Sequence, residues 1–112
     1  MHVTFGDAKL EPMPAGDPSH SGVFTSRFAT VFESFDGAFQ VGFEELTGDI
    51  TAAPAEELEE IIVVLAGTAE IECSGETYHL EPGDVVAYDH PIGSKRLRTS
   101  GLKTAYVIRH RR

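Results

Sequence analysis

The sequence predicts an all-β fold. Short apolar stretches that alternate with polar residues recur along the chain, and glycine or Pro-Gly turns separate them at spacings typical of a compact antiparallel sandwich or barrel. None of the 112 residues belongs to the sustained 3.6-residue apolar period of a long helix. With 41% hydrophobic residues, the chain has the composition of one globular domain with a modest core.

The chain divides at about residue 22. Residues 1–22 are rich in proline, glycine and polar side chains, which predicts an N-terminal arm or loop, and residues 23–112 form the predicted β domain. Residues 23–35 are interpreted as mostly strand. Residues 38–46 predict a half-buried strand, because one side of the alternation is apolar and carries Phe39, Val41 and Phe43.

The tightest pattern lies in residues 60–84, EIIVVLAGTAEIECSGETYHLEPGD. Apolar residues alternate there between three turn signals, which are Gly67, a Ser-Gly pair and a Pro-Gly-Asp turn. The pattern predicts four short strands, at residues 60–66, 68–73, 76–80 and 84–88.

Two regions flank this pattern. Residues 51–59 predict a loop that contains a turn, although Pro54 and the glutamates after it would also suit one helical turn. Alternation over residues 104–108 predicts a final strand. A jelly-roll barrel is the closed arrangement for so many short antiparallel strands, and it is the architecture we expect.

The distribution of charge is more informative than the net charge of −9. No lysine or arginine occurs between Arg27 and Lys95, whereas seven of the nine basic residues lie in the last eighteen positions. The acidic bulk of the chain would repel nucleic-acid phosphates. We therefore expect the basic end to lie beside acidic strands of the same molecule or of a partner subunit, with no nucleic-acid partner.

Location and assembly are predicted from simple features. The N-terminus lacks the charged start and apolar run of a signal peptide, and no segment approaches the roughly 20 apolar residues of a membrane span, so a cytoplasmic location without a membrane partner is expected. Cys73 is the single cysteine, which excludes an internal disulfide and suggests a small core side chain. Sheets of so short a chain leave unpaired edges, which favours a homodimer.

The first of two cupin sequence motifs can be followed through this chain. Gly48 opens it, Glu60 occupies the position of its glutamate, and Gly67 closes it. Pro54 and Glu56 stand at its two histidine positions. The spacing of the motif is therefore complete, but its two imidazole ligands are absent.

The second motif opens with Gly83, but Asp89 and Pro91 replace its usual proline and glycine, and Ser94 replaces its histidine. Over roughly residues 38–110 the chain resembles the small cupins that include the ethanolamine-utilisation cupins and relatives of ureidoglycine aminohydrolase. The resemblance implies a double-stranded β-helix without the usual histidine metal site, so no metal or other cofactor is expected. An acetate kinase activity is associated with the first group, but this chain has no glycine-rich phosphate loop ending in Lys-Ser/Thr.

Glu60 and Glu56 are the candidate catalytic residues. If Glu60 points into the barrel, as its family counterpart does, Glu56 faces it across the mouth. Two such carboxylates either hold a cation between them or share a proton, because like charges raise a pKa. An oxygen-only site would suit Mg²⁺, Mn²⁺ or Ca²⁺. The alternative is a solvated acidic loop, with Glu60 bonded to Ser94, Tyr88 or Tyr106.

The candidate ligand contacts lie on strands that a cupin barrel would place around one cavity, and they are Tyr88, Ser94, Tyr106 and Phe43. For the phenylalanines, filling the core is the favoured alternative. His79 is expected outside the barrel if Tyr78 and Leu80 fill the core, and a lone His20 in the arm is no metal site.

The expected function is the binding of a small polar metabolite in the barrel. One hypothesis is an enzyme in which Glu60 is a general acid or base. The alternatives are a non-catalytic sensing or accessory module, a dimeric scaffold with a filled barrel, and a carboxylate enzyme that depends on Mn²⁺ or Mg²⁺. Cupin barrels host many functions, so the fold alone does not decide among them.

Overall fold

A computed structural model describes residues 2–13, 20–52, 58–73, 75–88 and 95–110. These residues form a short 3-10 helix and seven strands, and every strand pairing is antiparallel. The elements are the helix Phe5–Asp7, β1 (Glu11–Pro12), β2 (His20–Glu33), β3 (Phe39–Ala52), β4 (Leu58–Cys73), β5 (Glu76–Leu80), β6 (Val85–Tyr88) and β7 (Lys95–His110). The prediction of an all-β fold is confirmed.

The strands form one continuous hydrogen-bonded sheet in the order β1-β2-β3-β7-β4-β5, and β6 pairs with β4. The first half of β4 pairs with β6 and its second half with β5. The sheet folds over on itself, so that the two halves of the long strands β3, β4 and β7 face each other across the core. The most deeply buried side chains of this core are Ile71, Leu102, Val64 and Thr104.

The long strands bend at glycines. The ladder between β4 and β7 shifts register between Val64 and Ala66, and the next residue, Gly67, has a φ of 84°. A side chain at Gly67 would collide with the main-chain carbonyl of Gly101 on β7. Because only glycine combines this φ with so close an approach, the bend requires it.

Two predicted strand boundaries are therefore wrong. Residues 60–66 and 68–73 belong to one bent strand, β4, because Gly67 bends the chain without reversing it. The predicted strand at residues 104–108 is the second half of β7, which begins at Lys95. A loop was predicted at residues 51–59. Its first two residues belong to β3 and its last two to β4, and residues 53–57 lie outside the described part of the chain.

The basic end of the chain lies beside acidic strands of the same molecule, as predicted. β7 carries three arginines that form ion pairs with its neighbours β3 and β4. The pairs are Arg96 with Asp49 at 2.5 Å, Arg98 with Glu72 at 2.9 Å and Arg109 with Glu59 at 2.6 Å. Such exposed pairs add little to stability because water and salt screen them, but they favour this strand order over one that brings like charges together. No helix in the described residues has the length and apolar character needed to cross a membrane.

The bend at Gly67 predicts a specific loss of stability. In Gly83→Ala, the new methyl group enters open space, so only the positive φ of 93° is penalised, by about 1 kcal/mol. In Gly67→Ala, the collision with Gly101 adds roughly 2 kcal/mol to a similar penalty. Urea unfolding of both variants measures the difference, and equal losses would contradict the close approach at the bend.

Candidate functional site

The two halves of the sheet enclose a cavity with a volume of about 240 Å³. Its deepest lining is apolar and buried, and consists of Leu46, Ile50, Ile62, Ile71 and Leu97. The polar lining residues are Thr30, Gln40, Glu44, Glu60, Lys95 and Tyr106. Met13, Phe28, Ala52 and Ile108 complete the walls. The cavity thus combines an apolar base with a concentration of titratable groups.

Glu60 lies on β4, where it pairs in the sheet with Ile108 of β7. Because side chains alternate along a strand, Glu60 and Ile62 face the cavity while Ile61 faces outwards. Burial raises the pKa of the Glu60 carboxyl to about 7, with Lys95 opposing the rise and Glu44 adding to it. A carboxyl with such a pKa can both donate and accept a proton at neutral pH, as a general acid or base must.

Lys95 is the first residue of β7, and its backbone pairs with Ala52 on β3 and Cys73 on β4. Its side chain enters the cavity, as does that of Leu97 two residues later. Burial lowers the pKa of the Lys95 ammonium group, although the Glu60 carboxylate opposes this shift. One feature of the sequence pointed to Lys95, namely its alternation with Leu97. The second cupin motif instead points to Ser94, the preceding residue.

Glu44 is the second acidic group of the cavity, and the sequence did not identify it. Ser26 donates a hydrogen bond from Oγ to Oε2 of Glu44 at 2.9 Å. Burial raises the pKa of Glu44 despite this hydrogen bond. The available signal was the polar side of β3, since Gln40 and Glu44 alternate with phenylalanines and both face the cavity.

Phe43 does not line the cavity, contrary to prediction. It lies on the outer side of β3, and its ring centroid is 5.4 Å from that of Phe5, with the rings at 63° in an edge-to-face arrangement. The N-terminal residues thus pack on the apolar side of β3. The alternation along β3 was predicted correctly, but the direction of its two sides was not. The polar side, with Gln40 and Glu44, faces the cavity, and Phe5 covers part of the apolar side.

Tyr106 lines the cavity from β7, where Gly42 of β3 is its partner in the sheet. Its hydroxyl and Thr30 Oγ1 are 3.1 Å apart and share a hydrogen bond. A side chain at Gly42 would collide with the Tyr106 ring, so the ring can occupy this position only because residue 42 is glycine. Burial raises the pKa of Tyr106, with the Thr30 hydrogen bond opposing, so the hydroxyl stays protonated at neutral pH.

Other predicted site residues are only partly described. Glu56 and Ser94 lie outside the described residues, and of Tyr88 the structure describes the backbone, which pairs with Glu60. Among the described residues, no group of three or more His, Cys, Asp and Glu side chains could hold a metal ion. The carboxylate cation site at Glu56 and Glu60 remains a prediction.

The sequence also predicted the positions of Tyr78, His79 and Cys73. Tyr78 does not fill the core, because its side chain is 49% exposed and bonds to Glu76. His79 is exposed, as expected, with Nε2 3.9 Å from a Glu70 carboxylate oxygen. Cys73 is half-buried at the end of β4.

No family model matches the sequence, and no curated protein matches it either. Solved structures do match. The cupin domain of Schizosaccharomyces pombe Cnp3 superposes with a TM-score of 0.74 at 12% identity, covering 97% of this chain and 73% of that one. The chain has the cupin fold. The EutQ protein of Clostridium difficile matches with a TM-score of 0.74 at 15% identity, covering 98% of this chain and 80% of that one.

Ectoine synthase from P. lautus also matches this chain, with a TM-score of 0.68 at 21% identity, over 88% of this chain and 73% of that one. The predicted cupin barrel is confirmed, and EutQ among the structural neighbours agrees with the resemblance seen in the motifs. At these identities the likeness concerns the backbone alone. The chemistry of this chain depends on the residues of its own cavity.

The pKa of Glu60 predicts a specific pH dependence of stability. Since the folded-state pKa is raised from 4.5 to about 7, the folded protein holds this proton more tightly than the unfolded chain does. The free energy of unfolding therefore falls as pH rises from 4.5 to about 7, by roughly 3 kcal/mol in total, and this loss is complete above the folded-state value.

Glu60→Gln should remove that loss, because glutamine does not titrate. Denaturant unfolding between pH 4 and pH 8 measures the difference between wild type and variant, which should shift in favour of the variant by roughly 2–3 kcal/mol. Glu81→Gln is the matched control, because it makes the same substitution at an exposed position outside the cavity. A difference that does not change with pH for Glu60→Gln would show that folding does not raise the pKa of this carboxyl.

Proposed function

We propose that the barrel binds a small polar organic molecule and that Glu60 acts on it as a general acid or base. The observation that carries this proposal is the convergence of Glu60, Glu44 and Lys95 on one cavity with an apolar base. Burying three titratable groups costs stability, which a function of the cavity would explain, and perturbed pKa values cluster at functional sites. A purely structural role explains these three residues less well, because an apolar core would stabilise the barrel better.

The size of the cavity limits the ligand. Its volume of about 240 Å³ lies below the roughly 300–1,000 Å³ typical of ligand pockets. We therefore expect a metabolite of a few carbon atoms and do not expect the cavity to enclose a nucleotide. The cavity also counts against the alternative of a scaffold with a filled barrel.

The charges of the cavity limit the ligand further. Burial favours the neutral forms of Glu44 and Glu60 and of the Lys95 amine. A neutral ligand with hydroxyl or carbonyl groups can hydrogen-bond all three without adding a charge to a desolvated site. Tyr88 and Ser94 remain proposed contacts, since the backbone of Tyr88 pairs with Glu60 and Ser94 precedes Lys95 in the sequence.

Binding should be detectable directly. Native mass spectrometry of gently purified protein, together with thermal shift against a panel of small polyols, hydroxyaldehydes and hydroxy acids, should reveal a ligand. Ile62→Phe, which fills the cavity from β4, should abolish binding, whereas Tyr78→Phe at an exposed position should not change it.

A wild-type protein that carries no ligand and responds to no member of the panel would contradict the proposal. Equal binding by wild type and Ile62→Phe would place the ligand elsewhere. If Glu60→Gln binds as tightly as wild type, Glu60 is not a binding contact, and its role is catalytic or absent. A ligand that is recovered chemically unchanged favours the alternative of a sensing or accessory module.

We also propose that the protein is a homodimer. Two adjacent rows of apolar residues cross the outer side of the sheet, as their pairing in the ladders shows. We call these residues the outer apolar face. They are Phe32, Val41, Val107, Ile61 and Ala87 in one row and Ala29, Phe43, Ala105, Val63 and Val85 in the other. Phe5 covers only part of it.

The surrounding charges and the surface area favour a second copy as the occupant of this face. The pair Glu59 and Arg109 borders it on one side, and Arg27, Glu45 and Lys103 border it on the other, so each border carries both signs. The chain of 12.2 kDa exposes 6896 Å², about 800 Å² more than a compact monomer of this mass.

Ile61→Arg should dissociate this dimer, because it buries a charge at the centre of the outer apolar face and costs about 2 kcal/mol or more. Val23→Arg is the matched control, since Val23 is also exposed but lies on the other half of β2. Sedimentation equilibrium measures both variants. A wild-type protein that is monomeric at every concentration, or a control that dissociates equally, would overturn the proposal.

A further inference from the structure

The three lysines of the chain have very different surroundings. Lys9 and Lys103 are exposed, and the Lys103 ammonium nitrogen lies 5.2 Å from the ring centroid of Phe5 on the outer surface. Lys95 alone of the three lines the cavity, which it shares with Glu60 and with apolar residues such as Leu97. The chain therefore holds one amine inside a space that can also hold a small molecule.

We propose that Lys95 forms a reversible imine with a small, neutral hydroxyaldehyde or hydroxyketone held in the cavity. This inference rests on the proposed function, because it assigns a covalent step to the same cavity. A lysine is a nucleophile only as the free amine, and a desolvated site favours that form. Burial lowers the pKa of Lys95 accordingly.

Imine formation needs a proton carrier next to the amine, and Glu60 fits this need. The Lys95 nitrogen attacks the carbonyl carbon, and the electron pair of the C=O bond moves to the oxygen. The Glu60 carboxyl gives its proton to this oxygen and takes one from the nitrogen, which yields a carbinolamine with a hydroxyl group. The carboxyl then protonates that hydroxyl, which leaves as water while the nitrogen lone pair forms the C=N bond, and the carboxylate takes the remaining proton from the nitrogen. Hydrolysis reverses each step, so no oxidant or reductant is consumed.

The polar lining favours hydroxyl groups on the carbonyl compound. Tyr106 and Thr30 share a hydrogen bond at the wall, and both hydroxyls can also interact with hydroxyls of a ligand. A substrate carboxylate would lose its hydration in this cavity, and Glu44 and Glu60 would repel it whenever either of them is ionised. A neutral compound such as dihydroxyacetone is therefore the appropriate probe, and pyruvate is its charged counterpart.

Borohydride trapping tests the proposal. Wild-type protein is incubated with dihydroxyacetone at neutral pH and reduced, and the adducts are located by peptide mapping. Lys95 should be labelled at least about tenfold faster than Lys9 and Lys103, and pyruvate should label it more slowly than dihydroxyacetone does. Glu60→Gln should slow labelling of Lys95 by about tenfold or more and leave Lys103 unchanged.

Equal labelling of the three lysines, or none at Lys95, would overturn the imine proposal, and faster labelling by pyruvate would overturn the assigned substrate class. Glycerol, which lacks the carbonyl group, separates this failure from failure of the proposed function. If glycerol shifts the NMR signals of cavity residues and no adduct forms, the cavity binds but Lys95 does not react. If no adduct forms and glycerol shifts none of these NMR signals, both proposals fail for this class of compound.

Discussion

The barrel depends on the position of β7 between β3 and β4. This strand is the last in the chain, yet it forms hydrogen-bonded ladders with both neighbours along most of its length. Its inner side supplies Lys95, Leu97 and Tyr106 to the cavity, and its outer side supplies the arginines that pair with acidic neighbours. The cavity therefore forms only once the C-terminal strand has docked, and such non-local pairing is intrinsically slow to form.

The fold could be predicted because its signals are local. Turn residues and two-residue alternation identify strands, and the Pro-Gly-Asp turn with Gly48 and Gly67 identifies the cupin spacing. The length of the strands could not be predicted in the same way. A glycine with positive φ marks both a hairpin turn and a bend within a strand, and only the pairing of Gly67 with Leu102 on a distant strand distinguishes them.

The candidate site was harder to predict than the fold, because it depends on which side of each strand faces inwards. Alternation in β3 identifies two sides but not their direction. Apolar residues such as Phe43 suggest a core, but this rule fails where a strand lines a partly polar cavity, and Gln40 and Glu44 face inwards. Glu60 was identified because a motif points to it. Lys95 and Glu44 stand at no motif position, so only the three-dimensional structure brings them to Glu60.

Glu60 and Lys95 act on each other as a coupled pair, with Glu44 as a third member. The pair can exist as carboxylate and ammonium or as neutral acid and amine, and transfer of one proton interconverts the two without changing the net charge of the cavity. Burial destabilises the charged form, while mutual attraction stabilises it, which brings the two forms closer in free energy. A ligand that interacts with only one form shifts this balance by its differential affinity. In the cupin motif a metal ion supplies the positive charge beside the glutamate, whereas in this barrel Lys95 lines the same cavity as Glu60 and carries a positive charge only in its ammonium form.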